Sequence, residues 1–321
     1  MKTHEFRDGD AIPLFGLGTW KSEPGEVEVA VKEAIRLGYR HIDCSPIYGN
    51  EPEVGRALAE CFAENLAARE DVWVTSKLWN RSHAPEDVIP ALETTLADLR
   101  LDCLDLYLIH WPVAQQRDVL FPESGADLIS LDEIPLASTW RAMEEAVDRG
   151  LCRHIGLANC SATKIGALLE GSRIGAEVDQ VEMHPYLAQN ELVEFCRANG
   201  LLVTAYSPLG SADRPERLKV EGEPILLEDP VLCEVAAEAG ATSAQVLIAW
   251  AIGRGTSVIP KTVTPTRLVE NLAGAELELD AGARRRLDAL DRHRRYISGE
   301  FWAKEGSPYT VADLWDEPAR R

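Results

Sequence analysis

The sequence predicts an α/β fold in which eight parallel strands and their helices close into a (β/α)8 TIM barrel. Along most of the 321 residues, short apolar or β-branched runs alternate with longer stretches of helical period. Strand–helix alternation at this spacing predicts a parallel sheet, and eight repeats suggest closure into a barrel. We expect one barrel domain over residues 1–321, because such barrels routinely fill this length as a single unit.

The barrel strands follow a predicted N-terminal β-hairpin. Asp8-Gly9-Asp10 lies between Phe6-Arg7 and Ala11-Ile12, and Asp-Gly is a favoured hairpin turn. The eight barrel strands are then predicted at residues 15–19, 39–43, 72–76, 104–110, 154–158, 178–182, 202–206 and 257–260.

Helical stretches lie between most of these strands. Glu26–Leu37 places its apolar residues on one stripe, and Gly38 then supplies a C-cap signal. The same pattern predicts helices over residues 88–99, 139–147, 191–197 and 243–251.

Three long stretches interrupt the alternation, at residues 113–137, 210–230 and 295–321. Loops of this length in a compact domain are usually functional or disordered. The last stretch, the C-terminal tail, is rich in aromatic residues, so we expect it to pack against the protein. The active-site mouth of the barrel offers a place for it.

The alternative fold is a doubly wound open sheet with a dinucleotide-binding turn. Gly16-Leu17-Gly18 is the only Gly-x-Gly near the start of the chain, and Lys21 stands where the fingerprint requires its third glycine. The failure of that fingerprint favours the barrel.

Composition argues against several classes of protein. The net charge of −20 disfavours non-specific nucleic-acid binding, which needs basic patches. The seven cysteines are scattered without a C-x-x-C pair, so we expect reduced thiols rather than disulfides or a zinc knuckle. No apolar run is long enough to span a membrane, and the N-terminus lacks a signal-peptide pattern. We therefore expect a cytoplasmic protein with no membrane or nucleic-acid partner.

The basic residues are mostly arginine, since only eight of the 33 are lysines. An acidic, lysine-poor composition suggests adaptation to a saline cytoplasm. It predicts that the stability of the protein changes between low and molar salt.

Reactive side chains gather at the predicted carboxyl ends of the strands, where (β/α)8 enzymes carry their active sites. Asp43 ends the second strand, Lys77 follows the third and His110 ends the fourth. Tyr48 lies on the loop after Asp43. Each residue alone has a plainer structural role, such as a cap, a surface lysine or a buried histidine. Their joint occurrence at strand ends favours one catalytic mouth.

Two other barrel chemistries fit less well. His41-x-Asp43 resembles part of a metal pair, but no second close histidine pair is present, so we expect no metal. No G-x-S-x-G elbow occurs, which argues against an acyl-transfer serine.

At these residues the sequence closely resembles the aldo-keto reductase family. The matching stretches are GLGTW (16–20), GYRHID (38–43), YGNE (48–51), VTSKLWN (74–80), LDLYLIHWP (104–112), QVE (180–182), YSPLG (206–210) and IPK (259–261), with Arg267, Glu270 and Asn271 after them. The likeness runs to about residue 295. Within the family the chain looks most like the aldehyde reductases, because WKSEPG (20–25) and HPYLAQN (184–190) favour that branch.

The resemblance implies a catalytic tetrad of Asp43, Tyr48, Lys77 and His110. A bound nicotinamide would supply the hydride, since no side chain can. Tyr48 would be the general acid, and the Lys77 ammonium would lower its pKa from the ordinary value of about 10. Asp43 would hold Lys77 in place, and neutral His110 would orient the carbonyl.

The resemblance also implies NADPH/NADP+ as cofactor. Tyr206 would stack on the nicotinamide, and Lys261 and Arg267 would bind the adenosine 2′-phosphate at a helix start, which favours NADPH over NADH. The expected cofactor-binding residues are Thr19, Trp20, Asp43, Asn159, Gln180, Tyr206, Ser207, Leu209, Ser211, Lys261, Thr262, Arg267, Glu270 and Asn271.

The expected substrate is a small aldehyde, reduced to a primary alcohol by a monomeric enzyme. Aromatic aldehydes, aldoses and uronates are the substrate classes of the branch that the chain resembles. Trp20, Trp79, Trp111 and Trp302 are the expected substrate-binding residues, because small-molecule sites usually have apolar walls.

Two departures from the family pattern affect the cofactor site. Ala158 stands where the family usually has serine, which removes one carboxamide contact. Thr262 also replaces a serine but keeps the hydroxyl.

Two alternatives stay open at this point. A protein of this fold can serve as a cofactor-sensing or regulatory subunit. The substrate can also be a ketone, a keto-sugar or a sugar phosphate, for which Lys21 and Lys304 are candidate cations.

Overall fold

The centre of the structure is a sheet of eight parallel strands. It is a computed structural model, and it describes residues 1–317. The strands are β1 (Thr3–Glu5), β2 (Ala11–Pro13), β3 (Leu17–Gly18), β4 (His41–Asp43), β5 (Trp73–Leu78), β6 (Leu104–Ile109), β7 (Ala114–Gln115), β8 (Leu128–Ile129), β9 (Cys152–Ala158), β10 (Val178–Glu182), β11 (Leu202–Tyr206) and β12 (Ser257–Val258).

The central sheet has the order β3-β4-β5-β6-β9-β10-β11-β12. Its two ends meet, because Phe15 pairs with Val258 and Gly18 with Lys261 in parallel bridges. The Gly16 N–H donates to the Val258 carbonyl at 2.9 Å, which continues the ladder across the seam. The predicted (β/α)8 barrel is therefore confirmed, with first and last strands shorter than expected.

Helices surround this barrel. They are α1 (Glu26–Leu37), α2 (Glu51–Ala63), α3 (Pro85–Leu99), α4 (Leu136–Asp148), α5 (Ala162–Gly171), α6 (Asn190–Asn199), α7 (Pro230–Ala239), α8 (Ser243–Gly253), α9 (Pro265–Glu276), α10 (Ala281–Asp288) and α11 (Val311–Trp315). All five predicted helices are present, as α1, α3, α4, α6 and α8. Helices α2, α5, α7, α10 and α11 were not predicted, and α9 was expected only as a helix start near Arg267.

Helix α8 corrects one expectation. The sequence pattern predicted a single apolar stripe over residues 243–251, but every residue from Val246 to Ile252 is buried. A helix that is apolar all round is buried on all sides, and α8 packs between α7 and α9.

The predicted hairpin forms from β1 and β2 and lies at the amino end of the barrel strands. His154, buried near the start of β9, ties it to the barrel. Its Nδ1 lies 2.7 Å from Glu177 Oε2, and its Nε2 lies 3.1 Å from Asp10 Oδ2. Burial alone would lower the pKa of His154, but these carboxylates outweigh it and hold the pKa above the ordinary value. The bond between His154 and Asp10 thus fastens the hairpin to β9.

At the opposite end of the barrel, the long loop 113–137 and the C-terminal tail pack against each other. The Tyr309 hydroxyl accepts from the Ala114 N–H at 3.0 Å and donates to the Ile129 carbonyl. The Gly125 N–H donates to the Glu305 carbonyl at 3.1 Å. The expectation that the tail packs at the mouth is confirmed up to residue 317, and residues 318–321 lie outside the described part of the chain.

Within residues 1–317, no single helix is long and apolar enough to cross a membrane. Helices α7 and α8 meet the length and composition test only as a pair, and they are bent by 88°.

Candidate active site

A buried polar centre lies at the carboxyl ends of β4 and β5. The Lys77 ammonium donates to Asp43 Oδ2 at 2.7 Å, to the Cys44 carbonyl at 2.9 Å and to the Tyr48 hydroxyl at 3.3 Å. The other Asp43 oxygen accepts from Gln180 Nε2 at 2.7 Å. The structure therefore brings together three predicted tetrad members, with Lys77 within β5 rather than after it.

Burial and the local charges decide the protonation of this centre. Burial would lower the pKa of Lys77, but Asp43 and Tyr48 outweigh it and hold the pKa above the ordinary value. Burial raises the pKa of Tyr48 to about 12, and Lys77 only partly opposes the shift. The expectation that Lys77 brings the pKa of Tyr48 below its usual value is wrong in this structure, because desolvation is the larger effect.

His110 completes the centre at the end of β6. Its Nδ1 lies 3.1 Å from the Ser45 hydroxyl, and the Trp79 ring packs edge-on with centroids 5.1 Å apart. Burial and the nearby Lys77 hold the pKa of His110 well below its usual value. The ring is therefore neutral, as the sequence argument required.

Two amide side chains lie beside the centre. Asn159 adopts a left-handed conformation (φ 59°) directly after β9. Its Nδ2 donates to the His110 carbonyl at 2.8 Å, and its Oδ1 accepts from the Tyr206 hydroxyl at 2.7 Å. Gln180 uses one N–H on Asp43, and among residues 1–317 its second N–H and its side-chain carbonyl have no hydrogen-bond partner. Ala158 pairs with Gln180 in register, so the missing serine would have stood beside these amides.

These residues open onto one cleft with a volume of about 820 Å³. The predicted cofactor residues that line it are Thr19, Trp20, Asp43, Asn159, Gln180, Tyr206, Ser207, Leu209, Ser211, Lys261 and Arg267. The cleft thus offers amides, an aromatic face, hydroxyls and cations on its wall. This set of groups fits a phosphorylated dinucleotide, because amides suit a carboxamide, an aromatic face suits a flat ring, and hydroxyls and cations suit phosphates.

Three predicted cofactor residues lie outside the wall of the cleft. Thr262 is buried, and its Oγ1 accepts from the Thr264 N–H at 3.1 Å. Asn271 is buried on α9, and the Glu270 carbonyl accepts from Gln245 Nε2 at 3.0 Å. Their cofactor contacts stay a prediction.

The loop 210–230, here called the strap, runs along one side of the cleft. Lys21 Nζ lies 2.7 Å from Asp213 Oδ1 and donates to Ser211 Oγ at 3.1 Å. Lys261 Nζ donates to the Lys21 carbonyl at 3.1 Å. Lys21 is thereby committed to the strap rather than free for a substrate. The sequence argument missed Asp213, because a single carboxylate in a polar loop carries no signal of its partner.

Aromatic rings form the other half of the cleft, and all four predicted substrate residues line it. The Trp302 ring lies 5.8 Å from Trp79 and 5.9 Å from Trp111, measured between centroids. Phe301, which the sequence also placed near the mouth with Trp302, lines the wall, and residues of the wall that were not predicted include Ile47, Phe121, Pro122, Arg217, Leu218 and Ile297. Most of them belong to the long loops and the tail, where the sequence has no periodicity to reveal which side chains face inward.

His41, weighed above as a metal ligand, has protein partners on both ring nitrogens. Nδ1 lies 3.3 Å from the Pro13 carbonyl, and Nε2 lies 3.2 Å from Thr75 Oγ1. Burial lowers its pKa to about 4, which keeps the ring neutral. His41 is thus a packed residue below the cleft.

Comparisons with known proteins agree with this geometry. Residues 14–292 match the model of the Aldo/keto reductase family. An aldo/keto reductase of Synechocystis sp. is 53% identical over 317 residues, covering 99% of this chain and 97% of that protein. Aldo-keto reductase family 1 member A1 of Homo sapiens is 49% identical over 291 residues, covering 90% and 89%. The solved aldose reductase of Schistosoma japonicum superposes with a TM-score of 0.88 at 37% identity, with full coverage of both chains (100%).

Proposed function

The chain belongs to the aldo/keto reductase family, and we propose that it reduces aldehydes to primary alcohols with NADPH as hydride donor. The observation that carries the proposal is the Lys77–Tyr48 contact of 3.3 Å beside neutral His110 at the base of an aromatic cleft. Aldehyde reduction needs a proton donor and an apolar pocket at one place, and both lie here.

Tyr48 is the proton donor in this proposal. Because burial raises its pKa to about 12, the phenol is protonated at neutral pH and has a proton to give. The Lys77 ammonium would stabilise the phenolate that forms, and Asp43 holds Lys77 at 2.7 Å. When bound, the nicotinamide supplies the hydride.

His110 orients the carbonyl. If the Ser45 hydroxyl donates to Nδ1, the proton of the neutral ring lies on Nε2 and can be donated to the carbonyl oxygen. Tyr48 and His110 would then hold one oxygen from two directions, which fixes the face presented for reduction.

Lys261 and Arg267 support NADPH over NADH. Both line the cleft, and Arg267 lies in the first turn of α9 (Pro265–Glu276). Cations at a helix start suit a phosphate through charge-assisted hydrogen bonds and the helix dipole. Asn159 and Gln180 would hold the carboxamide, and Tyr206 would stack on the ring.

The substrate classes proposed are aromatic aldehydes, aldoses and uronates. The tryptophan-rich wall supports the aromatic class, and the similar solved structure from Schistosoma japonicum is an aldose reductase. We propose further that the enzyme acts as a cytoplasmic monomer.

The test is NADPH oxidation on a panel holding an aromatic aldehyde, an aldose and a uronate, with NADH in parallel. Tyr48→Phe is expected to lower kcat by about 10²–10⁴-fold, the usual contribution of a general acid, while NADPH still binds. Tyr107→Phe is the matched control, because the buried Tyr107 hydroxyl has no hydrogen-bond partner among residues 1–317. Tight NADPH binding without turnover of any aldehyde would instead favour a cofactor-sensing subunit.

A further inference from the structure

Glu182, the last residue of β10, is fully buried and lies outside the proposed tetrad. Its Oε1 accepts from the Tyr296 N–H and its Oε2 from the Ile297 N–H, each at 2.7 Å. His184 Nε2 lies 2.9 Å from Oε1 and adds a third donor. Burial would raise the pKa of Glu182, but His184, the Tyr296 N–H and Arg295 outweigh it and lower the pKa.

The two backbone groups that Glu182 binds belong to the start of the C-terminal tail. Ile297 itself lines the cleft, as do Phe301 and Trp302 a few residues later. The carboxylate therefore fixes the point from which the tail extends over the substrate half of the cleft.

Tyr296 connects the same point to the strap. Its hydroxyl donates to the Pro224 carbonyl at 2.6 Å, and the Arg214 guanidinium lies 4.8 Å from its ring centroid. Arg294 Nη2 adds an ion pair of 3.1 Å with Glu223, which Arg214 also contacts. Tyr296 thus joins the strap to the tail, and Glu182 holds Tyr296 from the buried side.

We propose that Glu182 is a positioning residue that makes the cofactor strap and the substrate-binding tail assemble together, an inference that rests on the proposed function. The two backbone N–H groups are buried with the carboxylate, so water cannot take its place as their acceptor. When it is weakened, both Tyr296 and Ile297 lose their fixed place. The strap and the tail are then no longer held to one point.

Glu182→Gln tests the proposal, because the amide keeps the size of the side chain but provides only one acceptor oxygen. The KM for a bulky aromatic aldehyde is expected to rise about tenfold, equivalent to roughly 1.4 kcal/mol, with kcat within about threefold of the wild type. The KM for a small aliphatic aldehyde changes much less, since it does not reach Phe301 and Trp302. The Kd for NADPH rises as well.

A second readout does not depend on turnover. In the ligand-free protein, trypsin is expected to cleave after Arg294, Arg295 or Lys304 faster in Glu182→Gln than in the wild type. The control is Glu144→Gln, because Glu144 is also a buried carboxylate that accepts two backbone N–H groups, from Arg173 at 2.6 Å and Ile174 at 2.8 Å, both on Oε1. A glutamine can keep both bonds through its one oxygen, so this variant measures the loss of a buried charge alone. Glu144 lies on α4, away from the cleft.

Tyr296→Phe separates the two attachments and serves if Glu182→Gln does not fold. It removes only the hydroxyl bond to the strap, so the Kd for NADPH rises while the KM for the bulky aldehyde stays near the wild-type value.

The proposal is overturned if Glu182→Gln behaves like Glu144→Gln, with lower stability but unchanged KM and trypsin pattern. It is also overturned if kcat falls equally for small and bulky aldehydes, or if Tyr296→Phe leaves the NADPH Kd unchanged. If the wild type reduces no aldehyde, the proposed function fails, and the trypsin comparison still decides the role of Glu182.

Discussion

At the scale of single residues, the site depends on a buried lysine. Lys77 is only 1% exposed, and its ammonium is satisfied by Asp43, Cys44 and Tyr48. A buried charge is tolerated only when it is paired and hydrogen-bonded. The same contacts that make Lys77 stable also direct its charge at the Tyr48 oxygen, so stability and chemistry share one set of bonds.

Removal of the Lys77 charge is expected to destabilise the protein as well as inactivate it. Lys77→Met keeps the length of the side chain but leaves the Asp43 carboxylate buried without its cation, which costs about 3–5 kcal/mol in such pairs. The measurement is urea unfolding. Asp43→Asn combined with Lys77→Met should recover part of the loss, because no unpaired charge then remains. A free energy of unfolding for Lys77→Met within about 1 kcal/mol of the wild-type value would contradict this account of the Asp43–Lys77 pair.

Tyr48 is expected to ionise at a higher pH than a free tyrosine. Burial raises its pKa to about 12, so the phenol of the cofactor-free protein should stay protonated beyond the pKa of about 10 of a free tyrosine. Because His110 is also neutral, kcat for reduction should be flat across the neutral range and fall only when strong alkali removes the Tyr48 proton. Phenolate absorbance of the wild type minus that of Tyr48→Phe measures this directly. A difference signal that titrates below the free-tyrosine value would show that the Lys77 charge outweighs desolvation.

At the scale of elements, the substrate half of the cleft is built from two segments with little regular structure. The loop 113–137 and the tail are locked by the Tyr309 hydroxyl and by backbone contact at Gly125. A Cβ atom at Gly125 would clash with the backbone of Gly306 and Ser307. The shape of the pocket therefore depends on a place where only glycine fits.

Gly125→Ala is expected to separate the loop from the tail. The extra methyl group cannot be accommodated without a backbone shift, which typically costs about 1–3 kcal/mol. The KM for a bulky aromatic aldehyde should rise, while NADPH binding stays near the wild-type value. Gly171→Ala is the control, since a Cβ atom there meets nothing within 4 Å. Identical kinetics for the two variants would mean that the loop–tail contact does not shape the pocket.

At the scale of the whole molecule, the excess of acidic residues sets the response to salt. The chain has 53 Asp and Glu against 33 Lys and Arg, a net charge of −20. Self-repulsion of this charge opposes the compact state, and salt screens it within about 10 Å at 0.1 M. The urea midpoint should therefore rise between low and molar potassium chloride. A midpoint that is flat over this range would count against adaptation to a saline cytoplasm.

Much of the fold could be predicted because its signals are local. Runs such as residues 104–110 predicted β6, and the stripe of Glu26–Leu37 predicted α1. Helices α5 and α7 were missed, because their apolar positions do not stand out as a stripe. Strands β3 and β12 have only two residues each, and isolated bridges between Phe15 and Val258 and between Gly18 and Lys261 pair the two edges of the sheet.

The sequence by itself determined the barrel and the residues at the carboxyl ends of its strands, because topology places those ends together whatever the loops do. That rule located Asp43, Lys77 and His110, and the family resemblance supplied their roles. Only the tertiary structure decided the partner of Lys21, the wall contributed by the tail, and the attachment of the tail to Glu182. Those contacts join residues far apart in the chain through loops without periodicity. Burial likewise decided the protonation of Tyr48, because desolvation is a property of the packed molecule and not of neighbouring residues in the sequence.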